Sequence, residues 1–233
     1  MASVAAVFGS TGVVGSQILS TLLSHDAFKA IHTISRRAPK AESPKLNATI
    51  EADTAKWSSD LSGISPVPSI VFSAVGTTRA AAGGVANQWK IDHDLNVDLA
   101  KAAHTAGVKT FVFISSAGTR SLLSSQFPYS KMKIGVEDTI KDAGFEQAII
   151  LRPGFILAER EVPHQGATLF LKLIRSLSHF GQARQDAWGQ EPEVIGRAAV
   201  HASVLAAEGK APSKYWVLEQ ADIVRLGRDE WKA

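Results

Sequence analysis

The sequence predicts a doubly wound α/β fold, a parallel sheet with helices on both faces, built as one domain over residues 1–233. Three observations carry this prediction. Short apolar runs alternate with longer helical patterns, as βα units around a parallel sheet require. A glycine-rich turn joins the first apolar run to the first helical pattern. Apolar residues make up 45% and charged residues 20% of the 233-residue chain, a balance that provides a core large enough to fold alone.

Taken in order, residues 4–8 (Val-Ala-Ala-Val-Phe) read as the first strand, and about 14–23 as the helix after the glycine turn. Residues 31–35 and 48–52 read as strands two and three, and 69–74 as strand four. A long helix follows over 86–105. Residues 110–115 are rich in β-branched and aromatic side chains and form strand five. A helix over 129–141 leads to strand six at 146–151, which Arg152-Pro153-Gly154 ends. Beyond it, 167–177 and 193–208 look helical, 214–218 reads as a seventh strand, and 221–231 as a closing helix. The expected strand order is 3-2-1-4-5-6, with residues 1–155 forming a cofactor-binding core and 156–233 a smaller segment covering the substrate. Residues 38–44 and 65–68 are short loops, and neither an internal repeat nor a linker is visible.

Composition removes several function classes. The net charge of +3 is spread along the chain, with no Lys/Arg block suited to nucleic acid or to a polybasic membrane patch. The chain has no cysteine, which excludes disulfides, Cys-ligated metals and Cys nucleophiles and suits a reducing compartment. His164 and His179 have no partners at ligand spacing, so no metal is expected. No apolar run approaches the ~20 residues of a membrane span. The start, Met1-Ala2-Ser3, has neither a basic region nor a cleavage site, so the chain is expected to stay uncut.

Five constellations carry chemistry. The first is Gly9-Ser10-Thr11-Gly12-Val13-Val14-Gly15, between a strand and a helix. Glycines there let the backbone approach a pyrophosphate, and the helix N-terminus offers free N–H groups and positive dipole. A tight structural turn would also use them, and the spacing is Gly-x-x-Gly-x-x-Gly rather than Gly-x-Gly-x-x-Gly. The second is Ser35-Arg36-Arg37, about 20 residues on, where NAD binders place an acidic residue on the ribose 2′-OH. Arginine there suits a 2′-phosphate and favours NADP(H), unless both are simply solvated. The third is Asp53-Thr54: Asp53 could accept from an adenine amino group or cap a short helical stretch. The fourth, Ala74-Val75-Gly76-Thr77-Thr78-Arg79, lies at the carboxyl end of strand four, where ligands of such sheets bind. The fifth combines Ser116, in the turn after strand five, with Tyr129 and Lys133. One helical turn separates the last two, so they share a face. A cation beside a phenol favours the phenolate and makes a proton donor or acceptor. Ser116 can donate to a carbonyl oxygen on which charge develops. Against this stand a surface tyrosine with a solvated lysine, and a serine that merely caps a turn.

Taken together, Gly9-x-x-Gly12-x-x-Gly15, Ser116 and Tyr129-x-x-x-Lys133 resemble the short-chain dehydrogenase/reductase family, in its atypical or extended form, with a Rossmann-like sheet. Residues 72–79, 113–118, 129–137, 151–154 and 223–231 resemble its TIP30-like and fungal FMP52-like group. The likeness covers nearly the whole chain and is thinnest at about 157–190. It implies that Tyr129 exchanges a proton with the substrate oxygen, that Lys133 tunes Tyr129 and holds the nicotinamide ribose, and that Ser116 orients the carbonyl. It further implies that Pro153 and Gly154 border the nicotinamide, while Asn96 loosely matches a helix asparagine of extended members. The activity implied is an NADPH-dependent oxidoreductase acting on a small carbonyl or alcohol. The alternatives are an NADP(H)-binding regulator with little turnover, and an isomerase, dehydratase or ene-reductase on the same scaffold. The substrate pocket is expected at 155–162 and parts of 164–190, with Phe170, Phe180 and Trp188 as apolar walls. The location implied is cytoplasmic, or peripheral on the mitochondrial outer membrane.

Overall fold

A computed structural model describes residues 3–158, 186 and 188–232. Seven strands form one parallel sheet: β1 (Ser3–Phe8), β2 (Phe28–Ser35), β3 (Leu46–Ile50), β4 (Ile70–Ser73), β5 (Thr110–Ile114), β6 (Gln147–Leu151) and β9 (Tyr215–Leu218). Their order is β3-β2-β1-β4-β5-β6-β9, as the sequence predicts. The order reverses between β1 and β4, which pair directly from Ala5–Ile70 to Phe8–Ser73.

Both faces of the sheet are covered, which explains why its central strands are apolar throughout rather than alternating. Ala5 and Val7 of β1, with Val112 and Ile114 of β5, face one core. That core is closed by α1 (Val13–Ser24) and α6 (Pro192–Ala207). Ala6 and Phe8, with Phe111 and Phe113, face the other. Its cover comes from α2 (Trp57–Ser62), α4 (Leu95–Thr105) and α5 (Pro128–Ala143). Proline at the start of α5 and of α6 costs no helical hydrogen bond, and Gly144 ends α5 with φ of 77°.

The expected helix over 86–105 is three pieces. α3 (Val85–Trp89) runs into a π-helical turn at Lys90–Asp94, which continues into α4. The ring of His93 seats this turn against α5 where Gly135 lacks a side chain. The closing helix is α7 (Gln220–Val224) followed by a second π turn at Arg225–Asp229. Strand three lies two residues earlier than expected. Two further strands, β7 (Phe155–Ile156) and β8 (Gly189–Gln190), pair in parallel. At two residues each they are too short to leave a periodicity in the sequence. The expected helix at 167–177, with Phe170, Phe180, His164 and His179, lies outside the described residues. So do residues 159–185 and 187 of the expected substrate-covering segment.

Candidate active site

The site lies at the carboxyl edge of β1, β4 and β5. Its first wall is the glycine turn. Gly9 has φ of 77°, and a Cβ built on it would lie 2.6 Å from the Ala74 carbonyl oxygen. A Cβ on Gly15 would collide with the Gly9 carbonyl. Both positions therefore exclude a side chain, and α1 begins hard against the end of β1. Gly12 is the N-cap of α1 and supplies no side chain to its first amides. The first turn of α1 is therefore open to an anionic group. The hydroxyl of Ser10 is buried without a hydrogen-bond partner among the described residues. A cradle barred to side chains, an uncapped helix start and an orphaned hydroxyl fit a pyrophosphate. Thr11 and Val13 are exposed at its rim, while Val14 packs into the core.

Beyond β2, Ser35 is buried and donates to the carbonyl of Arg37 at 2.7 Å, folding the turn back on itself. Arg36 and Arg37 extend from that turn, exposed and without ion pairs among the described residues. Asp53 accepts from the Ala55 amide at 3.0 Å and so caps the Thr54–Lys56 turn.

The loop after β4 carries Ala74, Val75, Gly76 and Thr77. The amide of Thr77 donates to Asp92 Oδ2 at 2.9 Å, and Gln88 donates to the Thr77 carbonyl at 3.3 Å. Thr78 accepts from the Ala81 amide within the loop, and Arg79 is exposed. Asn96 is fully buried. Its amide nitrogen donates to the carbonyls of Val75, Ile91 and Asp92, and its oxygen accepts from Ser73 at 2.6 Å. Both of its amide protons and its oxygen are thus engaged, so Asn96 fastens the β4 loop to the helix.

α5 carries the tyrosine–lysine pair. Tyr129 is 40% exposed in the first turn and Lys133 is 4% exposed one turn on. The Lys133 ammonium donates to the Ile114 carbonyl at 3.2 Å, lies 4.8 Å from the Phe113 ring centre, and is 3.9 Å from Asp92 Oδ1. Ser116 lies part-buried in the turn after β5, where its carbonyl accepts from Thr119 at 3.3 Å. The second tyrosine, Tyr215, has a buried hydroxyl without a partner among the described residues, and burial pushes its pKa up to about 12. Tyr215 opens β9 beside Ala148, at the amino edge of the sheet and away from the carboxyl edge where Ser116 and Lys133 lie.

Below the pair lies a cluster that sequence reasoning did not assign. Glu137, fully buried one turn after Lys133, accepts from Ser115 Oγ at 2.6 Å and Arg120 Nε at 3.0 Å. It also accepts from Arg152 Nε at 3.1 Å and Nη2 at 2.6 Å. Burial alone would raise its pKa, but the hydrogen bonds from Arg152, Ser115 and Arg120 outweigh it and hold the carboxyl below its ordinary value. Arg152 also pairs with Glu219 at 2.9 Å. The cluster joins α5, the turn bearing Ser116 and the Pro153-Gly154 segment. There the Ala117 amide donates to the Pro153 carbonyl, and the Gly154 amide donates to Gln190 Oε1 at 2.8 Å. A sign was present in the sequence, since Glu137 falls one turn after Lys133, beside the apolar Met132, Val136 and Ile140 of the buried face.

The model of the NAD dependent epimerase/dehydratase family matches residues 5–196. "Protein FMP52, mitochondrial" of Chaetomium globosum is 67% identical over 227 residues, covering 97% of each chain. "Protein fmp52-2, mitochondrial" of Aspergillus oryzae is 66% identical over 228 residues, covering 98% of each. Among solved structures, MoeE5 in complex with UDP-glucose and NAD superposes with a TM-score of 0.61 at 18% identity, covering 92% of this chain and 75% of that one. At that identity the likeness concerns the fold, which is the Rossmann-like one the sequence predicts. The chain belongs to the NAD dependent epimerase/dehydratase family, as an atypical short-chain dehydrogenase/reductase of the FMP52-like group.

Proposed function

We propose that the chain is an NADP(H)-dependent oxidoreductase acting on a carbonyl or alcohol of a small organic molecule. Family membership supports the coarser part, an oxidoreductase-like enzyme with a nicotinamide dinucleotide cofactor. One observation carries the finer part: a continuous line of close approach runs from the glycine turn to the helix of the tyrosine. Gly9 abuts Ala74, and two residues on, a Cβ at Gly76 would lie 3.9 Å from the Lys133 ammonium. A dinucleotide along that line would meet the α1 amides and Ser10 with its phosphates, and Lys133 with its nicotinamide end. Arg36 and Arg37 favour the 2′-phosphorylated form. Asp53, Thr54, Val75 and Thr77 would border the adenosine and central parts, and Pro153 and Gly154 the nicotinamide.

NADP(H), when bound, supplies or accepts the hydride. Tyr129 holds the proton at Oη that the substrate oxygen gains on reduction and gives back on oxidation. Ser116 Oγ donates to that oxygen as charge grows on it. Lys133, one turn below Tyr129 with its ammonium beside Gly76, would hold the nicotinamide ribose. A second reading, epimerase or dehydratase chemistry, is favoured by the description of the matching family alone. It predicts a dinucleotide that stays bound and is not consumed.

The test is nicotinamide fluorescence on adding NADPH, then NADPH consumption across a panel of aldehydes and ketones. Binding with turnover is expected. Tyr129→Phe should keep binding and lower turnover by about 10²–10⁴-fold. NADPH binding without consumption, unchanged by Tyr129→Phe, would leave a cofactor-binding regulator in place of the enzyme.

Both fungal relatives are named as mitochondrial. No helix among the described residues is long and apolar enough to cross a membrane. We infer a mitochondrial location, with the peripheral attachment at the outer membrane that the sequence likeness implies. Fractionation with alkaline extraction of the membranes tests it.

A further inference from the structure

Asp92 occupies an unusual position. It is 1% exposed and sits in the π turn at Lys90–Asp94. An extra residue per turn at that point breaks the α-helical register, a feature frequent at functional sites. Asp92 Oδ2 is anchored by the Thr77 amide, and Oδ1 faces the Lys133 ammonium at 3.9 Å, too far for a tight hydrogen bond. The ammonium has three protons to donate, and among protein acceptors within hydrogen-bond reach in the described residues it meets the Ile114 carbonyl.

Gly76 explains what the remaining protons are for. A Cβ there would stand 3.2 Å from Asp92 Oδ1 and 3.9 Å from Lys133 Nζ. Its absence leaves a gap beside both charges, at the carboxyl end of β4. Asn96, one turn after Asp92, has every polar atom engaged and cannot serve a ligand. A buried charge is costly unless an opposite charge or hydrogen bonds balance it. Asp92 is the carboxylate within 4 Å of this amine, held off at a distance that balances its charge without occupying its protons.

We propose that Asp92 is a positioning residue: it balances the buried Lys133 ammonium from 3.9 Å and leaves it beside the gap at Gly76, ready for the hydroxyls of the ribose at the nicotinamide end of the cofactor. This rests on the dinucleotide reading above. The dependence is mutual, since burial raises the pKa of Asp92 while Lys133 and the Thr77 amide oppose that rise.

The experiment measures dissociation constants of two ligands on the full chain. NADPH is followed by its fluorescence, and 2′,5′-ADP, which lacks the nicotinamide ribose, by competition. The proteins are wild type, Asp92→Asn, Lys133→Met and the double variant. Asp92→Asn is expected to weaken NADPH about tenfold, the worth of one charge-assisted hydrogen bond, and to leave 2′,5′-ADP within about twofold. On the Lys133→Met background the same change should add less than about twofold, because its route to the ligand is gone. Equal losses for both ligands, or a full second loss in the double variant, overturn the proposal. Gly76→Ala keeps both charges, fills the gap, and covers the case in which Asp92→Asn does not fold. It should weaken NADPH alone, and unchanged NADPH affinity overturns the placement. Failure of wild type to bind either ligand defeats the dinucleotide reading itself. The thermal-unfolding cycle of the same four ligand-free proteins then still decides the Asp92–Lys133 coupling, and additive shifts overturn it.

Discussion

Glu137→Gln is the sharpest test of how the site is held together. The substitution keeps the shape of the side chain and removes its charge. Two guanidinium groups would then face a neutral amide whose NH₂ is a donor where they need an acceptor. Arg152 is mostly buried there and Arg120 is in part, so neither recovers full hydration. Breaking a buried pair by removing one partner costs about 3–5 kcal/mol. For a chain of this size each kcal/mol moves the melting temperature by about 2–4 °C, so a fall of about 6–20 °C is expected at pH 7. The pH dependence has a definite sign. The folded carboxyl is held below its ordinary value. Its stabilisation is therefore complete above the unfolded value of about 4.3 and is lost as pH falls through the folded value. The gap between wild type and variant should be widest near neutrality and close in acid. Circular dichroism melts from pH 7 down to pH 3 read both effects. A shift under about 2 °C at pH 7, or a gap that does not narrow in acid, would refute the reasoning.

Three further outcomes follow from the walls of the site. Gly9→Ala places a residue at φ of 77° with its Cβ against the Ala74 carbonyl, and should cost about 2–5 kcal/mol in chemical denaturation from backbone strain and overpacking combined. Arg36→Ala should weaken NADPH by about tenfold or more while leaving NADH nearly unchanged, as isothermal titration would show. Asp53→Ala should lower stability by about 1 kcal/mol through loss of the cap on the Thr54–Lys56 turn. A matching loss of NADPH affinity would reveal the adenine contact as well.

The sheet was legible because its code is coarse. Apolar runs such as Val-Ala-Ala-Val-Phe, set between turn residues, name the strands, and the glycine turn marks where the order reverses. Spacing placed Tyr129 and Lys133 one turn apart on a helix, and Ser116 in the turn after the fifth strand, where the fold has them. What escaped is what spacing does not encode. The π turn has no pattern of its own, so 86–105 read as one unbroken helix, and with it went the inward turn of Asp92. A trace did exist: Gln88, Asp92 and Asn96 recur every four residues and all are buried, beside Leu95 and Leu99. Buried polar groups at helical spacing require partners, but those partners come from β4 and α5, distant in sequence. Glu137 escaped for the same reason, since Ser115 and Arg120 reach it from the loop after β5 and Arg152 from the end of β6. The sequence also paired Lys133 with Tyr129 by proximity along the helix, whereas the fold gives the ammonium to Ile114 and Asp92.

Tyr129, Lys133 and Glu137 lie along one line of α5, and the line runs from solvent to complete burial. Mechanically it is a lever with its fulcrum at the bottom. Eight residues at 1.5 Å each set the Tyr129 backbone about 12 Å along the helix axis from that of Glu137. Each degree of tilt about that anchor sweeps the reactive end by about 0.2 Å, so about 5° moves it by about 1 Å. A misplacement of that size costs about 10²-fold in rate. Under the function proposed above, the aim of Tyr129 thus depends on a carboxylate two turns away, and variants that loosen it should alter rate while leaving Tyr129, Lys133 and Ser116 in place.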